Sequence, residues 1–255
     1  MSKTSDKATR RAELRAERRE AAIARDRQRK RMRLLLYAGI AAVAVAAILI
    51  VLNLQDDDAP TTIDFSGIPS TGTTLGNPDA PVTIVEYADY QCPWCGVLAR
   101  EDFPRIVDTY VRNGQVKIEF RAHPFLGGTD LRSPDNESVQ AAVAAACALD
   151  QGRFWEYNEA LFNLQDGENN GTFARANLDK AAEEVGLDVA QFTTCMDDQT
   201  HLDEVIAALE ANQAEGVTST PTITINGVQV AYTREGFDRL KTQIDAALNG
   251  EAIPQ

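Results

Sequence analysis

A run of 19 consecutive uncharged residues, Leu34 to Leu52, constrains this chain more than any other feature. It consists mostly of Ala, Leu, Ile and Val. At about 1.5 Å per residue it makes a helix of about 28 Å, close to the hydrocarbon thickness of a bilayer. A buried core helix would show a polar face, and this run has none. A cleaved signal peptide is the stronger rival, with an apolar core of about 7–15 residues ahead of a small-residue cleavage site. Here the run is longer and leads into Asn53-Leu54-Gln55-Asp56-Asp57-Asp58, without an Ala-x-Ala pattern. The expectation is a single uncleaved transmembrane helix over residues 34–52.

The same run divides two charge regimes. Of 25 Lys+Arg and 38 Asp+Glu in the 255 residues, 13 basic and 5 acidic side chains lie in residues 1–33. That leaves 12 basic against 33 acidic after them, a net of −21. The Lys/Arg excess, including Arg29-Lys30-Arg31 and Arg33, places the N-terminus in the cytoplasm. Residues 1–33 are therefore read as a basic cytoplasmic tail and everything after Leu52 as extracytoplasmic. The tail is of a kind that also binds anionic lipid or RNA; its plainer reading is a solvated tail that sets topology. A body of −21 repels phosphate, so no nucleic-acid partner is expected.

Residues 53–80 read as an extracytoplasmic linker: three Asp, then Pro60, Gly67, Pro69, Gly72, Gly76 and Pro78 among Ser and Thr. Within it only Thr62-Ile63-Asp64-Phe65 suits a short edge strand. The folded domain is expected over residues 81–255. Val82 to Ala88 is rich in β-branched and aromatic residues and reads as a buried strand. A helical stretch follows from about Pro93 to Arg112, closed by Asn113-Gly114 and kinked at Pro104. In Val116-Lys117-Ile118-Glu119-Phe120-Arg121 apolar and charged residues alternate, as in a half-buried strand. Strand, helix and strand of this length imply a parallel crossover. Ser133-Pro134 reads as a helix N-cap with Pro in the first turn. A helical insertion then runs over about 133–212, broken near Gly152, Asp166–Thr172 and Gly186. Thr222–Ile225 and Val228–Tyr232 flank Asn226-Gly227, a strong hairpin signal. A helix from Gly236 to Leu248 completes an α/β domain.

Cys92-Pro93-Trp94-Cys95 directly follows the first strand and opens a helix. Haem attachment needs His after the second cysteine, and position 96 is Gly. Zinc needs two further soft ligands near by, yet the two histidines, His123 and His201, are scattered and no second close cysteine pair exists. No metal is therefore expected. A structural staple across a two-residue spacer closes too small a loop to stabilise much. A redox dithiol fits: a thiol at a helix N-terminus meets unpaired N–H groups and the positive end of the dipole, which favour a thiolate.

From this point the chain resembles the DsbA-type thiol–disulfide oxidoreductases of thioredoxin fold, in particular the membrane-anchored Gram-positive and actinobacterial branch. The resemblance covers roughly residues 75–248. It rests on Leu75-Gly76-Asn77-Pro78-Asp79-Ala80-Pro81-Val82, on Glu86-Tyr87-Ala88-Asp89-Tyr90-Gln91 with the dithiol, on Gly152-Arg153-Phe154-Trp155-Glu156-Tyr157 before Leu161-Phe162, and on Gly216-Val217-Thr218-Ser219-Thr220-Pro221-Thr222. It implies a thioredoxin fold with a helical insertion, no cofactor, and Cys92 attacking with Cys95 as the buried resolving thiol. Pro221 would be a cis proline beside the dithiol, and Thr220 would offer backbone hydrogen bonds to an extended substrate, alongside Pro93 and Trp94. Glu86 would be the buried acid that moves protons at the resolving cysteine. A trans turn at Pro221 and an exposed strand position for Glu86 are the plain alternatives, although a Glu in an apolar central strand is costly without a role. Implied partners are reduced or unfolded secreted proteins and a quinone-linked membrane protein that reoxidises the dithiol.

Strong oxidants of this family carry His between the cysteines, where this chain has Trp94. The helix N-terminus is then left to do most of the stabilising, with a Cys92 pKa expected at about 5–7 and a potential between about −120 and −270 mV. For Cys147 and Cys195, in an extracytoplasmic domain, a structural disulfide is expected; free thiols and a second redox pair stay open. His123, before Pro124 at a strand end, reads as structural, and His201, among Asp and Glu, as part of a solvated helix. A reductase or isomerase of the same fold and a non-enzymatic peptide-binding chaperone are the rival functions. No dimerisation segment is evident, so a monomer is expected.

Overall fold

The computed structural model describes residue 32 and residues 62–255. The expected basic tail and the apolar run over 34–52 otherwise lie outside the described residues. Among the described residues no helix is long and apolar enough to cross a membrane.

A six-stranded mixed sheet, opening with β1 (Ser70–Thr71) and β2 (Thr74–Leu75), has the order β1-β2-β4-β3-β5-β6. Its centre is β3 (Val82–Ala88), parallel to β4 (Val116–Ala122) and antiparallel to β5 (Thr222–Ile225). On β4, Val116, Ile118 and Phe120 are buried while Lys117, Glu119 and Arg121 are half-buried, as period-2 alternation dictates. β6 (Val228–Val230) follows β5 through a two-residue turn. Asn226 and Gly227 there have φ of 49° and 80°. Both central residues at positive φ make the tight turn whose twist suits a hairpin, and Gly227 takes it without steric cost.

The parallel β3–β4 pair needs a crossover, which the residues from Pro93 to Val111 supply as one helical run. It comprises α1 (Pro93–Val97), a π-helical stretch (Leu98–Asp102), α2 (Phe103–Ile106) and a second π stretch (Val107–Val111). The kink expected at Pro104 takes the form of these two π stretches on either side. Proline has no N–H for the ladder, and a wider turn is one way for a helix to absorb that loss. The insertion contributes α3 (Glu137–Leu149), α4 (Phe154–Leu164), α5 (Arg175–Glu184), α6 (Val189–Asp197) and α7 (Leu202–Ala214). α8 (Phe237–Leu248) closes the domain against β3, β5 and α2.

Two sequence expectations need correction. The N-cap of α3 is Asn136, whose side chain accepts from Val139 N–H at 3.1 Å. Ser133 instead turns the preceding loop, its hydroxyl accepting from Asp135 N–H; a cap needs its oxygen over the third amide of the helix, and the helix starts later. The boundary drawn at residue 80 is also too late. β1 (Ser70–Thr71) and β2 (Thr74–Leu75) form a short hairpin that pairs with β4, and Leu75 and Ile63 are buried. Residues 62–65 form no strand; Ile63 is held by its N–H donating to Glu159 Oε1 at 2.7 Å. Turn-rich composition suggested a tether, but a few apolar anchors were enough to fold it onto the domain.

Candidate active site

β3 delivers the dithiol. Its alternation puts Val82, Ile84, Glu86 and Ala88 on one face, and the chain leaves the strand through Asp89-Tyr90-Gln91 into Cys92, the N-cap of α1. Pro93 occupies the first helical turn, where an absent N–H costs nothing. Cys92 and Cys95 are both thiols, and Cys95 lies fully buried beneath. Cys92 is itself only 6% exposed. The Thr220–Pro221 bond is cis. The Cys92 thiol donates to Thr220 C=O at 3.3 Å, so the carbonyl expected to receive substrate is occupied by the cysteine in the dithiol form.

The two thiols are tuned in opposite directions. Cys92 is lowered to about 6, first by a hydrogen bond from the Cys95 thiol, against burial, then by the Thr220 side chain and the backbone N–H groups of Cys95 and Trp94. Burial pushes Cys95 far up, and its bond to Cys92 and the nearby negative charges of Cys92 and Glu86 push the same way. The value for Cys92 falls inside the expected window, but the leading cause does not: the second thiol outweighs the helix N-terminus. Without His between the cysteines, the Cys95 thiol takes the donor's part.

The Thr220 hydroxyl is buried without a hydrogen-bond partner among the described residues. It is an orphan beside a thiol and a donor beside a thiolate. Thr220→Val removes that donor while keeping the shape. Because bonds to charged groups are worth about 1.5–3 kcal/mol, Cys92 is expected to titrate about one unit higher, read by thiolate absorbance against pH.

Glu86 sits below the dithiol, 5% exposed, beside a cavity of about 10 Å³ lined also by Ala99, Phe103, Asn158 and Phe162. Its Oε1 has no partner among the described residues. Burial, and then the negative charge at Cys92, raise its carboxyl to about 8.

A buried polar clamp around the loop was not foreseen. Asp89 accepts from Gln91 N–H, Phe125 N–H and Leu126 N–H, each at 2.9 Å, and from the Ser138 hydroxyl at 2.8 Å. Gln165 Nε2 donates to Tyr90 C=O at 2.6 Å and Cys92 C=O at 2.7 Å, tying α4 to the dithiol loop. The one signal for this was Asp89 and Gln91 themselves: polar residues in a buried segment need partners. Gln165 carried none. It lies over Gly96, where a Cβ would stand 1.9 Å from Gln165 Oε1. Gly96→Ala and Gln165→Ala should therefore each destabilise by about 1–3 kcal/mol, through the same two lost bonds: the Tyr90 carbonyl is left without its donor, and the Cys92 carbonyl keeps only the Gly96 N–H. In urea unfolding the double variant should be well short of additive.

Pro93 stays at the helix start, whereas Trp94 is 46% exposed. The Trp94 ring meets Tyr232 edge-on at 6.3 Å, and Tyr232 donates to Asp102 at 2.6 Å. Trp94, Thr220, Pro221, Tyr232, Thr233 and Arg234 line an open groove of about 330 Å³ alongside the dithiol. Cys147 and Cys195 are joined as a disulfide between α3 and α6. His123 is buried after β4, its Nδ1 unpartnered among the described residues.

This arrangement suits dithiol–disulfide exchange, and known proteins agree. The family model described as Thioredoxin matches residues 69–246. Disulfide bond formation protein D of Bacillus subtilis is 31% identical over 190 residues, 73% of this chain and 82% of that protein. Part of a Na(+)/H(+) antiporter, NhaA 3 of Salinispora tropica, is also 31% identical, over 62% of this chain but 22% of the antiporter. The crystal structure of oxidised BdbD from Bacillus subtilis superposes with a TM-score of 0.63 and 28% identity, covering 72% of this chain and 97% of that one. The chain belongs to the DsbA-type thiol–disulfide oxidoreductases of thioredoxin fold.

Proposed function

We propose that the chain oxidises protein dithiols outside the cytoplasm, held to the membrane by residues 34–52 with its N-terminus inside. The observation that carries the chemistry is the opposed tuning of Cys92 and Cys95. With the pair oxidised, a substrate thiolate attacks Cys92 Sγ and the Cys92–Cys95 bond breaks. The electron pair leaves on Cys95, the poorer thiolate, which takes up a proton; Glu86, protonated near neutrality, is the donor at hand. A second substrate thiolate then attacks the substrate sulfur joined to Cys92. Cys92 leaves as the better-stabilised thiolate, and two electrons remain on the dithiol.

Cys92 is thus the exchanging sulfur, Cys95 the resolving one, Glu86 the proton donor, and Thr220, Pro221, Pro93 and Trp94 the wall against which an extended substrate lies. The Cys147–Cys195 bond braces the insertion. A reoxidising membrane partner of the quinone-linked kind completes the cycle; the Bacillus relative's name, disulfide bond formation protein, supports this direction of electron flow.

The test combines oxidative refolding of a reduced, unfolded secreted protein with the redox state of Cys92–Cys95 in cells. Net disulfide formation with a mostly oxidised pair is expected. A mostly reduced pair would overturn the oxidase reading in favour of a reductase.

A further inference from the structure

In sequence His201, Cys147 and Cys195 are too scattered to suggest a metal site; folding brings them together. Cys147 comes from α3, Cys195 from α6, and His201 caps the start of α7. The two sulfurs and a ring nitrogen of His201 all lie within 4.8 Å of one another. Both cysteines are buried and His201 is partly so. The ring has a carboxylate at each nitrogen: Asp150 Oδ2 is 2.7 Å from Nε2 and Glu204 Oε2 is 3.1 Å from Nδ1.

Two thiolates and an imidazole are a donor set that favours zinc, and a carboxylate on the far nitrogen is the usual way such an imidazole is oriented. The sulfurs here are joined, and a disulfide is a poor ligand. We propose that while Cys147 and Cys195 are still thiols they bind Zn²⁺ together with His201, and that forming the disulfide expels the metal. One of Asp150 and Glu204 holds the ring nitrogen that does not ligate, and water takes the fourth position.

The steps balance. Binding releases two protons as the thiols become thiolates. Oxidation passes two electrons from those thiolates to an incoming protein disulfide, such as Cys92–Cys95 of another molecule. The Cys147–Cys195 bond forms, the acceptor's sulfurs leave as two thiolates, and the metal departs as Zn²⁺. Cysteines enter a new chain as thiols, so the metal form precedes the disulfide. In that interval it holds α3 and α6 in the register that the covalent bond later fixes, with α7 tied to them through His201.

The chain has four Cys and two His, so a full-length Cys92→Ser, Cys95→Ser variant keeps only this cysteine pair. In detergent solution, reduced and titrated with Co²⁺, it should bind one ion per chain with sulfur-to-cobalt charge-transfer absorption, displaceable by Zn²⁺. The same chain oxidised should show no such band. Adding His201→Gln, whose oxidised form still has the disulfide and reports on folding, should weaken the reduced site at least tenfold. Zn²⁺ should raise the thermal midpoint of the reduced chain only. Absence of the sulfur band, an equal band with His201→Gln, or a reduced chain indifferent to Zn²⁺ would overturn the proposal.

Discussion

In a Cys95→Ala variant, Cys92 should titrate about one to two pH units higher than in the parent, where it ionises near pH 6. Turnover in dithiol–disulfide exchange should fall at least about a thousandfold, because no second thiol remains to close the cycle. The two effects separate by choice of substitution. Cys95→Ser also abolishes turnover but keeps an O–H donor, so it should hold the Cys92 midpoint closer to 6 and capture substrate as a lasting mixed disulfide. Rates of Cys92 alkylation across pH give the midpoints, and mass spectrometry counts the captured adduct. Midpoints that stay near 6 in both the Ala and Ser variants would return the credit to the helix N-terminus.

The sign of the linkage bears on how oxidising the disulfide is. A thiol whose folded pKa is depressed to about 6 stabilises the reduced fold as pH rises from there toward the unfolded value, and contributes nothing below it. At pH 7 only the unit between 6 and 7 counts, about 1.4 kcal/mol, or about 30 mV in a two-electron couple. This single thiolate therefore does not by itself make a very strong oxidant. An increase in oxidising strength with pH between 6 and 8, relative to a reference dithiol, is the expected trace of it.

What the sequence reveals here follows the range over which each residue acts. β3 and β5 were legible to the residue, because β-branched runs bounded by turn signals need only local information. The dithiol was legible because strand, cysteine pair and helix start fall within one short segment. The hairpin β1–β2 was not, since two-residue strands have no periodicity and owe their existence to pairing with β4. Nor was the clamp of Gln165 on the Cys92 carbonyl, made between residues 73 positions apart. The leading cause of the Cys92 shift lies beyond local sequence for a similar reason. The helix terminus could be read from Pro93, whereas the donor part of the buried Cys95 thiol depends on tertiary packing. His201 illustrates the limit most sharply: spacing argued against any association with Cys147, and three helices supplied one.

Glu86→Gln should give a stability gain over the parent that grows as pH rises, and a slower catalyst. The carboxyl is raised from 4.5 to about 8, with burial the larger cause and the charge at Cys92 the smaller. Between those values the unfolded chain holds an ionised Glu86 while the folded one holds a proton, so folding binds a proton and stability falls with rising pH. The slope approaches about 1.4 kcal/mol per pH unit, and the loss accumulated by pH 7 is about 3 kcal/mol. Gln has nearly the same shape and no charge, so this dependence disappears. The variant should match the parent near pH 4 and exceed it by about 3 kcal/mol at pH 7, in urea unfolding of the reduced form. The remaining polar atom buried without a partner costs both proteins alike. In the oxidised form Cys92 carries no charge, so the smaller cause is gone and the gain should shrink slightly. If Glu86 delivers the proton that Cys95 takes up, formation of the mixed disulfide should slow in the same variant, with the pH dependence near 8 lost from that step. A variant that gained the stability and kept the parent's rate and pH profile would leave Glu86 as a cost to the fold without a part in the exchange.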